Sequence, residues 1–402
     1  MKQSGIDWVG EIPDDWKIVQ PKALFSQRKE RAHIGDEQLT ASQKHGIINQ
    51  KKFMEIEQQR VVVVEKDFNI LKHVEPGDFV ISMRSFQGGL EYSQERGCIS
   101  SAYVMLIPNL NFVYPEYYKW LFKSYAYIKA LQSTSDLIRD GQALRYSNFA
   151  KIPLPLVPRL TQERIAEYLD KKVSEIDSII EESKKSIEEY KAWKQSVIFE
   201  AVTGKNLNCK KKDSGIEWIG EIPEGWKCLS LKNLCSMQAG KNLISEQIAS
   251  SGLYPVYGGN GIRGWYDDFN TDGDYILIGR QGALCGNVHK VSGKFWATEH
   301  AVVTTPKRLF VMVEFLYYLL VGMNLNQYAS NSAAQPGLSV NAILNVKTIL
   351  PPLPEQESIA KMLDSKCAQI DSLVAEKESL IADLTEYKKS LIFEVVTGKR
   401  SV

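Results

Sequence analysis

The sequence predicts an α+β fold built twice: two homologous α+β domains joined by two long antiparallel helices that pair as a coiled coil, related by a pseudo-two-fold in a quasi-circular molecule. Three observations carry this. Ser4–Trp16 reads SGIDWVGEIPDDW, and Ser214–Trp226 reads SGIEWIGEIPEGW. Gln162–Lys205 matches Gln356–Lys399 in register, ending IFEAVTGK and IFEVVTGK. Between these paired segments lie two divergent middles with β-rich runs in the same order. A repeat on this scale means one structural unit used twice. The offset falls from 210 to 194 residues, so the second middle is shorter by 16.

Taken along the chain, the first domain covers residues 1–159. Its opening peptide is followed by strand-like runs at Val61–Val64, Gly77–Arg84 and Ser101–Pro108, then an aromatic helix over Pro115–Leu131. Pro153, Pro155 and Pro158 stop the domain and set the start of the first long helix, 160–205. There Leu169, Val173, Ile176, Ile180, Ser183, Ile187, Tyr190, Lys194, Val197 and Ala201 advance by alternating fours and threes, a heptad seam. Gly204 in Thr-Gly-Lys suits a left-handed cap.

The second domain, 206–350, repeats the order with Gly273–Arg280, His300–Pro306 and Val311–Leu320, and Pro351, Pro352 and Pro354 precede the second long helix, 351–402. Its seam holds Leu363, Cys367, Ile370, Val374, Lys377, Ile381, Leu384, Lys388, Leu391 and Val395, and ends at Gly398. Both seams are interrupted at equivalent places, Ser183 with Lys377 and Lys194 with Lys388. Such polar interruptions can fix register, because a shifted alignment buries the polar group without its partner. Roughly 41 residues at about 1.5 Å each give a rod on the order of 60 Å long. Each rod needs an apolar partner, and the simplest is the other one. The two chain termini are then expected together, just as the Asn206–Asp213 linker joins the equivalent ends elsewhere.

Composition excludes several classes. With 402 residues, 44% apolar and 24% charged, the chain is ordinary globular protein. No run is long enough to span a membrane and the N-terminus lacks a signal-peptide core, so a cytoplasmic protein without a membrane partner is expected. Six scattered cysteines show no metal or disulfide spacing and are expected to be reduced. The net charge of +1 offers no bulk attraction for a polyanion. Residues 1–160 carry 21 basic against 18 acidic groups and residues 213–350 carry 10 against 11, so any nucleic-acid recognition must rest on arrangement.

The motifs point the same way. Gly259, Gly261 and Gly264 match G-x-G-x-x-G but lead into Trp-Tyr-Asp-Asp, with no helix to aim at a phosphate. Neither helix end has the rest of a P-loop, and no catalytic constellation recurs in both halves, so a non-catalytic binding protein is expected with no metal or cofactor of its own. Arginine pairs bidentately with guanine, and glutamine or asparagine with adenine. Arg84, Gln87, Arg139, Gln142 and Arg145 in the first middle, and Asn260, Arg263, Arg280, Gln281 and Gln335 in the second, are therefore the candidate DNA contacts. Arg84 and Arg280 occupy equivalent positions after a Gly-Asp strand, which equally fits a shared structural or backbone role.

With these residues in view, the chain resembles the specificity (S) subunit of type I restriction-modification systems. The duplicated opening peptides, the GDFVISMR and GDYILIGR strands, the PLPLVPRLTQERIA and PPLPEQESIA turns and the two TGK helix ends carry the resemblance over essentially the whole chain. It implies that each middle is a target-recognition domain reading one half of a bipartite double-stranded DNA sequence, and that the paired helices set the unread gap. It also implies two modification (methyltransferase) subunits that bind S-adenosylmethionine, and restriction subunits that use ATP and Mg to translocate and cleave. The outward helix faces with Trp193, Phe199, Tyr387 and Phe393 are where partners would dock, or else complete the local core. A duplicated coiled-coil adaptor that binds proteins and never touches DNA is the alternative.

Overall fold

In the computed structural model, residues 1–64, 68–83, 85–134, 144–282, 285–329 and 337–402 are described. The chain divides into two compact units, Met1–Ser183 with Ser379–Val402, and Lys184–Glu378. Each unit therefore combines one middle with half of each long helix. The helices run over Arg159–Thr203 and Leu353–Val396.

In the first unit the central sheet is antiparallel, in the order Phe25–Arg28, Val104–Pro108, Phe79–Ile81, Glu91–Tyr92. In the second unit the order is Cys235–Ala239, Ala301–Pro306, Tyr275–Gly279, Val288–Val291. The two sheets share one topology, although the residues that build them differ at most positions. A second short pair recurs as well: Lys17–Val19 with Leu154–Leu156, and Lys227–Ser230 with Lys347–Leu350. This pair ties the start of each middle to its end, immediately before the long helix. A helix packs on each sheet, and its apolar face closes the core through Tyr117, Tyr118, Leu121 and Phe122 in one unit and Phe315, Leu316, Leu319 and Leu320 in the other.

Several sequence-based bounds need correction. Val61–Val64 forms no strand: all four valines are half-buried or exposed and have no ladder partner among the described residues, so β-branching alone did not make a sheet. The strands within Gly77–Arg84, Ser101–Pro108 and Gly273–Arg280 shrink to Phe79–Ile81, Val104–Pro108 and Tyr275–Gly279. The helix expected over Pro115–Leu131 is two, Pro115–Lys123 and Tyr125–Ser133, broken where Ser124 takes an extended backbone and its hydroxyl donates to the Leu121 carbonyl. Pro354 lies inside the first turn of the last helix, where its missing N–H costs nothing.

All twenty seam positions are buried or half-buried. In the first unit Leu169, Val173, Ile176 and Ile180 share a core with Leu391, Ile392, Val395 and Val396, the early part of one helix against the late part of the other. In the second unit Ile198, Ala201 and Val202 meet Ile359, Leu363 and Cys367 in the reverse sense. The pairing is antiparallel in both. Two of the three seam lysines are bonded across it: Lys388 Nζ donates to Asp177 in the first unit, and Lys194 Nζ donates to both carboxylate oxygens of Asp371 at 2.7 Å in the second.

The duplicated opening peptides find their role at the helix ends. Gly204 and Gly398 have φ of 70° and 73°, and the following lysines donate their backbone N–H to Glu200 and Glu394, closing each helix with a left-handed cap. A Cβ on Gly398 would stand 2.5 Å from Pro13 Cδ and 3.0 Å from Trp16 Cη2, and one on Gly204 would stand 2.7 Å from Pro223 Cδ and 3.0 Å from Trp226 Cη2. Glycine is thus required twice at each end, for its backbone and for the proline and tryptophan pressed onto it. Within the first unit the end of the chain lies on its beginning, as the duplication predicts. Cys98, Cys235, Cys285 and Cys367 are buried and Cys209 and Cys228 exposed, all as free thiols.

Candidate nucleic-acid interface

The outer parts of the two units differ where their central sheets agree. In the second unit an additional sheet is ordered Gly261–Tyr266, Tyr254–Gly258, Lys294–Ala297, Thr271–Asp272, with Tyr254–Gly258 and Lys294–Ala297 parallel. Its small core is Leu277, Val291, Phe295, Ala297 and Ala301. In the first unit the corresponding outer part is a hairpin, Leu39–Ser42 with Gly46–Asn49, and a separate pair, Lys72–Val74 with Gly97–Ile99. These close over Leu39, Ile47, Val74, Val80, Ile99 and Met105.

The glycine run is a β-hairpin and not a nucleotide loop. Gly258 pairs with Gly261 across a turn made of Gly259 and Asn260, and Gly261 has φ of 96°. Arg263 is exposed on the returning strand, and a Cβ on Gly258 would stand 2.5 Å from Arg263 Cδ, so the absent side chain leaves room for the arginine stem. Asn287 Nδ2 donates to Asn260 Oδ1 at 3.0 Å, which holds the turn against the end of the central sheet. On the same side, Gly259 abuts Gly279 and the backbone of Arg280. Arg280 is half-buried; its backbone N–H donates to the His300 carbonyl and its own carbonyl accepts from Leu338 N–H and Cys285 Sγ. Gln281 is exposed and bridges to Gly337 through the backbone. Asn260, Arg263, Arg280 and Gln281 therefore gather around one hairpin and the strand end beside it.

The sequence-predicted residues of the first unit are not gathered in this way. Gln87 is exposed on the short helix Ser85–Gly88, next to Gln43, whose side chain would meet a Cβ on Gly88 at 2.7 Å. Arg145 is exposed at the start of Tyr146–Phe149, and its backbone N–H donates to Asn148 Oδ1. Among the described residues no contact joins Gln87 to Arg145. Arg84, Arg139, Gln142 and Gln335 lie outside the described residues.

The helix faces divide. Trp193 and Tyr387, at equivalent positions, are each 47% exposed. Phe199 and Phe393 are half-buried beneath Lys205 and Lys399, whose ammonium groups sit 4.6 and 4.1 Å from the ring centres. The tryptophan–tyrosine pair remains available, while the phenylalanines belong to the helix ends.

Two polar sets escaped the sequence reading. Gln162 and Gln356 are fully buried and equivalent. Gln162 accepts from Tyr114 N–H and donates to the Phe112 and Val157 carbonyls; Gln356 accepts from Met312 N–H and donates to the Phe310 and Pro351 carbonyls. Each glutamine latches the start of the helix that packs on its unit's sheet to a long helix. Next to it, Asp170 accepts from Trp120 Nε1 at 2.8 Å, and Asp364 accepts from the Tyr318 hydroxyl at 2.6 Å. The signal was present, since both residues are identical polar positions in the two aligned helical segments. The second set is in the first unit: Glu91 is buried, burial pushes its carboxyl pKa up despite Lys123 Nζ at 2.6 Å, and its second oxygen has no partner among the described residues.

Comparison with known proteins now decides the family. The model of the type I restriction modification DNA specificity domain matches residues 13–189 and again residues 223–381. The chain belongs to this family. The EcoprrI specificity subunit of Escherichia coli is 45% identical over 139 residues, covering 34% of each chain. The MjaVIII specificity subunit of Methanocaldococcus jannaschii is 25% identical over 429 aligned positions, covering 96% of this chain and 93% of that one. The chain thus spans about a third of the first relative and nearly all of the second. Two solved structures share the fold at 15% identity. A chain solved in work on complex assembly and conformational transition of the type I R-M system gives a TM-score of 0.70 over 97% of this chain and 100% of that one. The HsdS subunit from Thermoanaerobacter tengcongensis gives 0.55 over the full length of both. No helix among the described residues is long and apolar enough to cross a membrane.

Proposed function

We propose that this chain is the DNA-recognition subunit of a type I restriction-modification complex, in which each unit reads one half of a bipartite target and the paired helices fix the gap. The observation that carries the reading is the contrast within the duplication: matching central sheets, latches and helix ends, with different outer sheets mounted on them. Shared parts hold position, and differing parts read different bases. On this reading Asn260, Arg263, Arg280 and Gln281 in the second unit, with Gln87 and Arg145 in the first, contact DNA through the amide and guanidinium chemistry that base edges accept. Arg84, Arg139, Gln142 and Gln335 complete the proposed set.

Catalysis belongs to partners. Two modification subunits bind S-adenosylmethionine and methylate adenine, and restriction subunits consume ATP with Mg. Trp193 and Tyr387 are the side chains offered for docking, and the complex works in the cytoplasm. The near-zero net charge fits a division of labour in which partners supply phosphate contacts. The test is co-expression with a neighbouring methyltransferase and genome-wide mapping of methylated adenines. A split motif with a fixed gap is expected, and Arg263→Ala should relax only one half of it. A stable complex that methylates nothing, or an Arg263→Ala change that weakens both halves equally, would overturn the assignment.

A further inference from the structure

The first unit contains a histidine–carboxylate cluster that the proposed DNA contacts do not include. The loop after strand Phe25–Arg28 carries Glu30, His33 and Asp36, and it lies over strand Lys72–Val74, which supplies His73, with Glu75 just beyond. His73 is completely buried. Its Nδ1 is 2.7 Å from Asp36 Oδ2 and its Nε2 is 2.7 Å from Glu75 Oε1. The His33 ring stacks on it, with centroids 4.0 Å apart, and His33 Nε2 stands 3.7 Å from Glu30 Oε2. One donor atom from each of Glu30, His33 and His73 falls within 4.8 Å of the others.

The two carboxylates around His73 are not alike. Asp36 has a side chain only 4% exposed, and the same Oδ2 that faces His73 also accepts the His33 backbone N–H at 2.7 Å. It is fixed, and a fixed carboxylate on one imidazole nitrogen is the usual support for a metal on the other. Glu75 has a side chain 35% exposed, and its Oε1 also stands 3.5 Å from Arg96 Nε. Glu30 uses Oε1 for Arg28 and keeps Oε2 toward His33. His33 is exposed, so the cluster has a mouth open to solvent.

We propose that Glu30, His33 and His73 form a binding site for a divalent transition metal of the zinc, cobalt or nickel class, with Glu75 as a fourth donor and Asp36 orienting His73. Two imidazoles with carboxylate oxygens suit these ions. On binding, the metal takes His73 Nε2, the proton held between that nitrogen and Glu75 passes to solvent, and Glu75 turns from hydrogen-bond acceptor to ligand. Ligand atoms about 2.0–2.1 Å from a tetrahedral zinc stand a little over 3 Å apart, so the exposed His33 ring must turn out of its stack on His73 to bring its nitrogen to the metal. The site would pin the loop to the strand beneath it. The same loop holds the outer pair, because Glu37 accepts Cys98 N–H and Gln38 bonds both ways with Val64. The metal would therefore rigidify the outer part of the first unit alone.

The test uses the full chain, purified without a polyhistidine tag, stripped with chelator and titrated with Co²⁺. One equivalent should bind with the visible absorption of a tetrahedral cobalt site, and Zn²⁺ should displace it. His33→Ala, a change at an exposed side chain outside the apolar cores, should remove the absorption. Asp36→Asn should weaken binding about 10–100-fold through loss of the oriented imidazole. His45→Ala and His300→Ala, which remove histidines elsewhere, should change nothing. Failure to saturate at one equivalent, or identical titrations for the wild type and His33→Ala, would show that the cluster is a closed hydrogen-bonded set and overturn the proposal.

Discussion

Gln162 and Gln356 show what one side chain can carry. Each satisfies a buried backbone N–H and two buried carbonyls at the junction of domain and helix. Replacing Gln356 with leucine keeps the volume but strands all three groups, and an unpaired buried group costs about 1–3 kcal/mol. Urea unfolding should show a loss of at least that size, whereas the neighbouring exposed Glu357→Ala should be nearly silent. Glu91 makes a different prediction. Burial raises its folded pKa, so its contribution to stability is fully present below the unfolded pKa and is lost as pH rises through the folded value. Glu91→Gln removes that titration, so the stability of the variant relative to wild type should increase as pH rises above the ordinary glutamate range. A constant difference across that range would mean that Lys123 keeps the carboxylate charged at no cost. Neither residue was legible as important from composition or spacing. The glutamines were visible only as identical letters in a repeat, and Glu91 looked like any strand glutamate until its burial was known.

At the scale of elements, the long helices were the most legible part of the chain and the short strands the least. A seam of ten positions integrates weak preferences over some forty residues, so its burial follows from periodicity alone. Val61–Val64 had only local propensity behind it, and without a neighbouring strand that preference came to nothing. Ser124 breaks an aromatic run that reads as one helix, because its hydroxyl satisfies the carbonyl that the next turn would have used. Lys194 and Lys388 were legible as interruptions, and their partners explain why the interruptions are tolerated. Lys388 and Asp177 are 27% and 48% exposed, so the pair contributes only about 0.2–1 kcal/mol. Its larger effect is on register: Lys388→Glu should destabilise the first unit, and adding Asp177→Lys should restore it. A double-mutant cycle by chemical denaturation with no coupling between the two positions would remove the ion pair as a register device.

At the scale of the whole molecule, the duplicated frame was legible because the same residues recur, and the proposed reading surface was not, because the outer sheets share no pattern. Asn260, Arg263, Arg280 and Gln281 were picked for their chemistry and proved to cluster; Gln87 and Arg145 were picked on the same grounds and did not. The frame itself makes the last prediction. Each long helix contributes its two halves to different units, so the chain passes from one unit to the other only through the helices. A heptad inserted into both, near residues 183 and 378, preserves the seam period and adds about 10 Å of rise. At about 3.4 Å per base pair that is roughly three base pairs. If the helices set the gap, the methylated motif of the lengthened protein should keep both half-sites and widen the space between them by that amount. Inserting the heptad in one helix only misaligns Lys388 with Asp177 or Lys194 with Asp371, and should abolish methylation instead of shifting it. An unchanged gap after the double insertion would mean that the partner subunits, and not these helices, measure the distance.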